Sequence, residues 1–80
     1  MVFVEFTKRS GSNGSVYFVG KDIKSVMDDT HGGSEFGRTL FSGFKVISEE
    51  EVRLLRLKYF EVGIRAIKQG CKSFNLGAIE

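Results

Sequence analysis

The chain has 80 residues, with twelve Lys and Arg against ten Asp and Glu, one His, one Cys, no Trp and no Pro. That length allows one domain, residues 1–80, near the lower limit for a self-sufficient core, and the lone Cys71 excludes an intrachain disulfide framework. His31 and Cys71 are the only strong zinc-preferring side chains, which excludes a zinc knuckle; oligomerisation is the staple that remains, and a dimer or larger assembly is expected.

The charge is evenly spread: residues 1–47 carry six basic and five acidic groups, and residues 48–80 carry the same numbers. Such a balance argues against a protein held to a phosphate backbone by charge alone. The longest apolar run is too short to cross a membrane, and Met1 to Phe6 lack the basic and long apolar regions of a signal peptide. With an unpaired thiol, a reducing, cytoplasmic setting and no membrane partner are expected.

In chain order, Val2 to Thr7 alternates weakly and predicts the first strand. Lys8 to Gly14 is a loop in which Asn13-Gly14 suits a hairpin turn, and Ser15 to Val19 is the second strand. Gly20 permits a bend. Ile23 to Met27 predicts a short third strand, followed by a loop from Asp28 to Ser34. Arg38 to Phe41 and Phe44 to Ile47 flank Ser42-Gly43, read either as a short hairpin or as a bulge within one bent strand.

The second half opens on the sharpest local signal. Ser48-Glu49-Glu50-Glu51 is a capping box, with Ile47 and Val52 at the staple positions and three carboxylates complementing the helix dipole. One helix is expected from about 48 to 69, closed by Gly70 at the position that favours a left-handed residue. At 100° per residue, Val52, Leu55, Tyr59, Val62, Gly63 and Ala66 form one face, and Leu57, Phe60, Ile64 and Ile67 a neighbouring stripe. Two stripes exceed what one sheet face needs: either the sheet and the C-terminal tail wrap the helix, or one stripe packs on the sheet and the other on a second subunit. The second reading is preferred, and it places Leu57, Phe60, Ile64 and Ile67, with Phe74 and Leu76 of the tail, at an oligomer interface. The apolar tail from Cys71 to Glu80 is expected to dock on its own subunit or on a neighbour.

Catalytic signals are weak. Gly32-Gly33-Ser34-Glu35-Phe36-Gly37-Arg38-Thr39 nearly matches a phosphate loop, but Arg38 replaces the Lys and the segment continues as strand rather than opening a helix. Asp28, Asp29 and His31 match no metal-ligand spacing, and Cys71 reads as a packed thiol with no orienting partner. No enzyme activity, no cofactor and no metal are expected. Lys8, Arg9, Tyr17, Lys21, Lys24, Arg38 and Lys45 sit on strands and loops among Phe3, Phe36, Phe41 and Phe44. Cations interleaved with rings are what a single-stranded nucleic-acid platform uses. Arg53, Lys58, Glu61, Arg65 and Lys68 form a solvated helix face.

The segment Gly43-Phe44-Lys45-Val46-Ile47-Ser48-Glu49-Glu50-Glu51-Val52-Arg53-Leu54-Leu55 resembles the last-strand-to-helix junction of the positive-cofactor-four-like coactivators, as does Gly37-Arg38 before it. That resemblance implies a ββββα dimer that binds single-stranded DNA on its sheets. The order of Phe6-Thr7, Asn13-Gly14, Phe18, Asp22-Ile23, Ser25-Val26, Ser42-Gly43 and Glu50-Glu51-Val52 is also similar in outline to small flagellar FlbD-type proteins.

The expected fold is therefore α+β, a four-stranded antiparallel sheet followed by one long C-terminal helix, assembled as an oligomer. The expected function is that of a non-enzymatic, protein-binding regulator or inhibitor, an adaptor of the kind compact phage genomes encode. The alternative is single-stranded nucleic-acid binding through the seven basic and aromatic residues above.

Overall fold

The computed structural model describes residues 1–8, 14–31 and 41–79. It contains strands β1 (Val2–Lys8), β2 (Ser15–Gly20), β3 (Phe41–Ile47) and β4 (Ser73–Ile79), with helices α1 (Ile23–His31), α2 (Glu49–Leu54) and α3 (Phe60–Lys68). The strands form one antiparallel sheet in the order β3-β1-β2-β4. The expected α+β class with a four-stranded antiparallel sheet is present, but the strands are not all the expected ones. Ile23 to Met27 is helix, and the fourth strand is the tail.

Helix α1 has a local cause. Asp22 Oδ1 accepts from the Ser25 amide at 2.8 Å, the bond of an N-cap carboxylate, and Lys24 reaches Asp28 at 2.8 Å one turn on. The side chain of Val26 is fully buried with Val4 and Phe6, and Met27 packs beside it. Gly20 permits this tight return: a Cβ there would strike Val26 Cγ2 and lie 3.2 Å from the Asp22 carbonyl oxygen.

The alternation of β1 sends Val4 and Phe6 to the α1 face and Phe3 to the other, where Tyr17, Val19, Val52, Phe60 and Leu76 join it. Each face of the central strands is thus buried. Phe3 stacks on Phe60 with centroids 6.0 Å apart, and Phe6 meets Phe18 edge-on at 5.4 Å. The Ser42-Gly43 segment is a bulge within one strand, since Thr7 pairs with Gly43 and Lys8 with Phe41. In β4 a second irregularity lies between the partners of Tyr17 and Phe18, where Gly77 has φ +115° and its amide is held by Asn75 Oδ1 at 2.8 Å.

The capping box opens α2 as expected, with Ser48 Oγ accepting from the Glu51 amide at 3.2 Å. The single helix over 48–69 does not form. Helix α2 stops at Leu54, Arg56 takes φ +54°, and α3 starts at Phe60. The register gives the reason. Phe3 pairs with Ile47, Val2 with Gly20, and Gly20 with Ser73, so β3 ends and β4 begins at the same end of the sheet. An unbroken helix of about 21 residues would span about 30 Å and leave the chain at the opposite end. To pair β4 antiparallel to β2, the helical segment must turn back, and it does so at residues 55–59.

The turn also redistributes the two apolar stripes. Val52 is buried from α2; Phe60 is buried and Ile64 and Ile67 are packed from α3, while Leu57 points to the same core from between them. Tyr59 and Val62, expected on the first stripe, are left 45% and 46% exposed. The surplus apolar surface that suggested an oligomer interface is therefore largely used within the chain. At its far end α3 closes as expected: Gly70 has φ +106°, its amide donates to the Ile67 carbonyl at 3.1 Å, and the Cys71 amide donates to Ala66 at 3.0 Å.

Two substitutions test this packing. Gly63→Ala improves helix propensity by about 1 kcal/mol, yet its Cβ would strike Leu76 Cδ2 and stand 3.2 Å from Phe74 Cδ1 and Val19 Cγ1. Because Leu76 is fully buried, urea titration should show a net loss of about 1–2 kcal/mol. Arg56→Gly removes the left-handed penalty and should raise stability by about 1 kcal/mol in the same titration.

Candidate protein-binding edge

The seven residues expected to form a nucleic-acid platform are not brought together among the described residues. Arg9 and Arg38 lie outside the described residues, as do the phosphate-loop-like segment and Phe36. Lys8 closes β1. Tyr17 is 6% exposed, and its hydroxyl donates to Glu5 Oε2 at 2.8 Å on the face covered by α2 and α3. Lys45, directly across β1 and β3 from Glu5, approaches the same carboxylate at 3.8 Å. Lys21 lies where β2 leaves the sheet, its amide bonded to the Lys72 carbonyl at 2.9 Å, and Lys24 is tied to Asp28. The described basic groups are thus spread along the sheet, Lys8 at one end, Lys45 in the middle, and Lys21 and Lys24 at the other end.

Three of the rings on β1 and β2 are not available for stacking. Phe3 and Phe6 are buried, and Tyr17 is spent on Glu5. Burial first, and then the bond to the Glu5 carboxylate, push the Tyr17 phenol above its ordinary value. Phe44 is open, at 53% exposure, leaning on Phe6 at 6.1 Å.

The expected interface residues are also located. Phe60 and Leu76 are buried in the chain's own core, and Leu57, Ile64, Ile67 and Phe74 pack against it. Cys71, expected as a packed thiol, is exposed just past α3. Among the described residues no three His, Cys, Asp or Glu side chains gather, and no helix is long and apolar enough to cross a membrane.

What the sequence did not single out is β3 itself. It is an outer strand, and its regular part carries Phe44 and Val46, 53% and 49% exposed, on the α1 face. The opposite side chain, Lys45, is engaged with Glu5 of the adjoining strand. The other outer strand, β4, is interrupted by its irregularity and by Gly77, features that blunt an edge. The available signal was the run Phe44-Lys45-Val46-Ile47, which holds one charge in four residues. An outer strand of this kind can add an extended segment by main-chain hydrogen bonds, with side-chain contacts supplying selectivity.

No family model, no curated protein and no solved structure matches the chain.

The Tyr17 hydroxyl gives a pH prediction. Its folded-state pKa is raised, so the hydroxyl's contribution is complete below the ordinary value of about 10 and is lost as pH rises through the raised one. Urea midpoints measured between about pH 8 and pH 11 should fall in the native chain. Tyr17→Phe should show a shallower fall over that range.

Proposed function

We propose that the chain is a small, non-enzymatic, cytoplasmic protein-binding regulator that takes an extended segment of its target along the outer edge of β3. The observation that carries this reading is the pairing of an outer strand with two half-exposed apolar side chains, Phe44 and Val46. Isolated apolar residues on a surface are ordinary, but two on one face of a strand that is outermost among the described residues supply a contact surface beside outward-facing backbone groups. Lys45 is the one charged side chain in β3, and its ammonium lies 3.8 Å from Glu5 Oε1, so the strand carries little of the charge that natural edges use to repel other chains. The exposed thiol of Cys71 suits a reducing compartment.

The single-stranded nucleic-acid reading, and with it the use of the sheet implied by the coactivator resemblance, has less support. Helices lie over both faces of β1 and β2, and the rings on those strands are mostly inside.

Extended peptides selected from a random displayed library against the folded chain provide the test. They should protect the amides of residues 43–47 from hydrogen exchange. Phe44→Glu together with Val46→Glu should weaken them by about tenfold or more while costing no more than about 2 kcal/mol of folding stability in a urea titration. Protection confined to other strands, or selective binding of oligonucleotides with a steep salt dependence, would refute the reading.

A further inference from the structure

The reversal between α2 and α3 is held by an unusual residue. Position 56 is the left-handed residue that follows a helix end, the role Gly70 fills after α3, yet here it is an arginine at φ +54°. The segment from Leu55 to Tyr59, Leu-Arg-Leu-Lys-Tyr, contains no Gly and no Pro and is composed mainly of good helix formers. Its compact form is closed by the Arg56 amide donating to the Arg53 carbonyl at 3.2 Å and by Arg53 reaching Glu61 at 3.7 Å across the corner. Local preference and the observed turn therefore oppose each other at residue 56.

Everything beyond the turn is a separable unit. Helix α3 and strand β4 follow the turn consecutively, and β4 is an outer strand bonded on one side to β2. Their contacts with the rest include the burial of Phe60 and Leu76 against Phe3, Tyr17, Val19 and Val52, the Arg53 guanidinium over the Phe60 ring, the approach of β4 to α1, and the β2–β4 ladder. A second copy can supply all of these unchanged.

We propose that the partner this surface fits is a second copy of the chain, through exchange of the α3–β4 unit. Opening the corner lets residues 55–59 take helical conformation, relieving Arg56, and carries each α3–β4 unit onto the sheet of the other subunit. The two-fold axis then passes between the two hinges. Three of the chain's exposed apolar side chains flank that point: Leu54 is 82% exposed, Tyr59 45% and Val62 46%. Across an opened hinge they fall within an arc of about 140° of one helix surface, so a paired hinge buries them against their counterparts. In the single chain they face outward with no such role. The proposal is independent of the β3 reading, since it uses the opposite edge of the sheet.

Register makes exchange directly testable. Val16 pairs with Ala78 across β2 and β4. Two Cys71→Ser chains, one carrying Val16→Cys and the other Ala78→Cys, are unfolded, mixed, refolded at about 1 mM and at about 10 µM, and oxidised. Exchange predicts a disulfide between the two different chains at the higher concentration. Adding Arg56→Gly, which favours the closed corner, should reduce that product by about tenfold. A chain carrying both cysteines calibrates the cross-link, and Ser15→Cys with Ile79→Cys, the next pair in register, provides a second reporter. The proposal is overturned if the chains remain monomeric at the higher concentration. It is equally overturned if they dimerise without linking the two chains while the chain with both cysteines closes its own disulfide.

Discussion

The antiparallel pairing of β4 with β2 is the constraint on which the rest of the structure depends. It fixes where the chain must be when β4 begins, at the end of the sheet where β3 has just finished. From that requirement follow the division of the helical segment, the left-handed Arg56 and the position of α3 over β2 and β4. The pairing also completes the burial of Leu76, Phe74 and Gly63 around Val19, where the helix and the last strand approach too closely for an added methyl group. Backbone ladder and side-chain packing thus impose a turn that the local sequence does not encode, at a cost of about 1–2 kcal/mol for one non-glycine residue in left-handed conformation.

The same arrangement decides what is left outside. With α1 on one face and α2 and α3 on the other, the central strands have little open surface, and the exposed large apolar groups among the described residues lie at the periphery: Phe44 and Val46 on β3, Leu54, Tyr59 and Val62 about the helical corner, and Met1 and Ile23 singly. The first pair motivates the proposed capture of an extended segment. The second group motivates self-exchange. These are different surfaces, and the function proposed for one does not rest on the other.

Much of the fold was legible because it is locally determined. The strands at Val2 and Ser15, the capped start at Ser48 and the glycine stop at Gly70 each follow from short-range rules, and each is present. The third expected strand failed because Ile23, Val26 and Met27 were weighed by β-propensity, although their helical spacing and the preceding Asp22 cap spell an amphipathic turn. The helix over 48–69 failed for a different reason: nothing between Leu54 and Phe60 breaks a helix locally, and the break is imposed by a strand some fifteen residues further on. The expected interface residues were correctly recognised as apolar, but their burial depended on that same non-local turn. Exposure of the β3 edge was not legible at all, because strand order is set by pairings far apart in sequence.

The claim that β4 forces the helix to turn back is tested most directly by NMR on a dilute, monomeric sample. Backbone chemical shifts and couplings should be helical over 49–54 and 60–68, interrupted between them, with the signature of positive φ at Arg56. Cross-strand contacts should join Val19 to Phe74. Unbroken helical shifts from 49 to 68 in a monomer that keeps those cross-strand contacts would contradict the account.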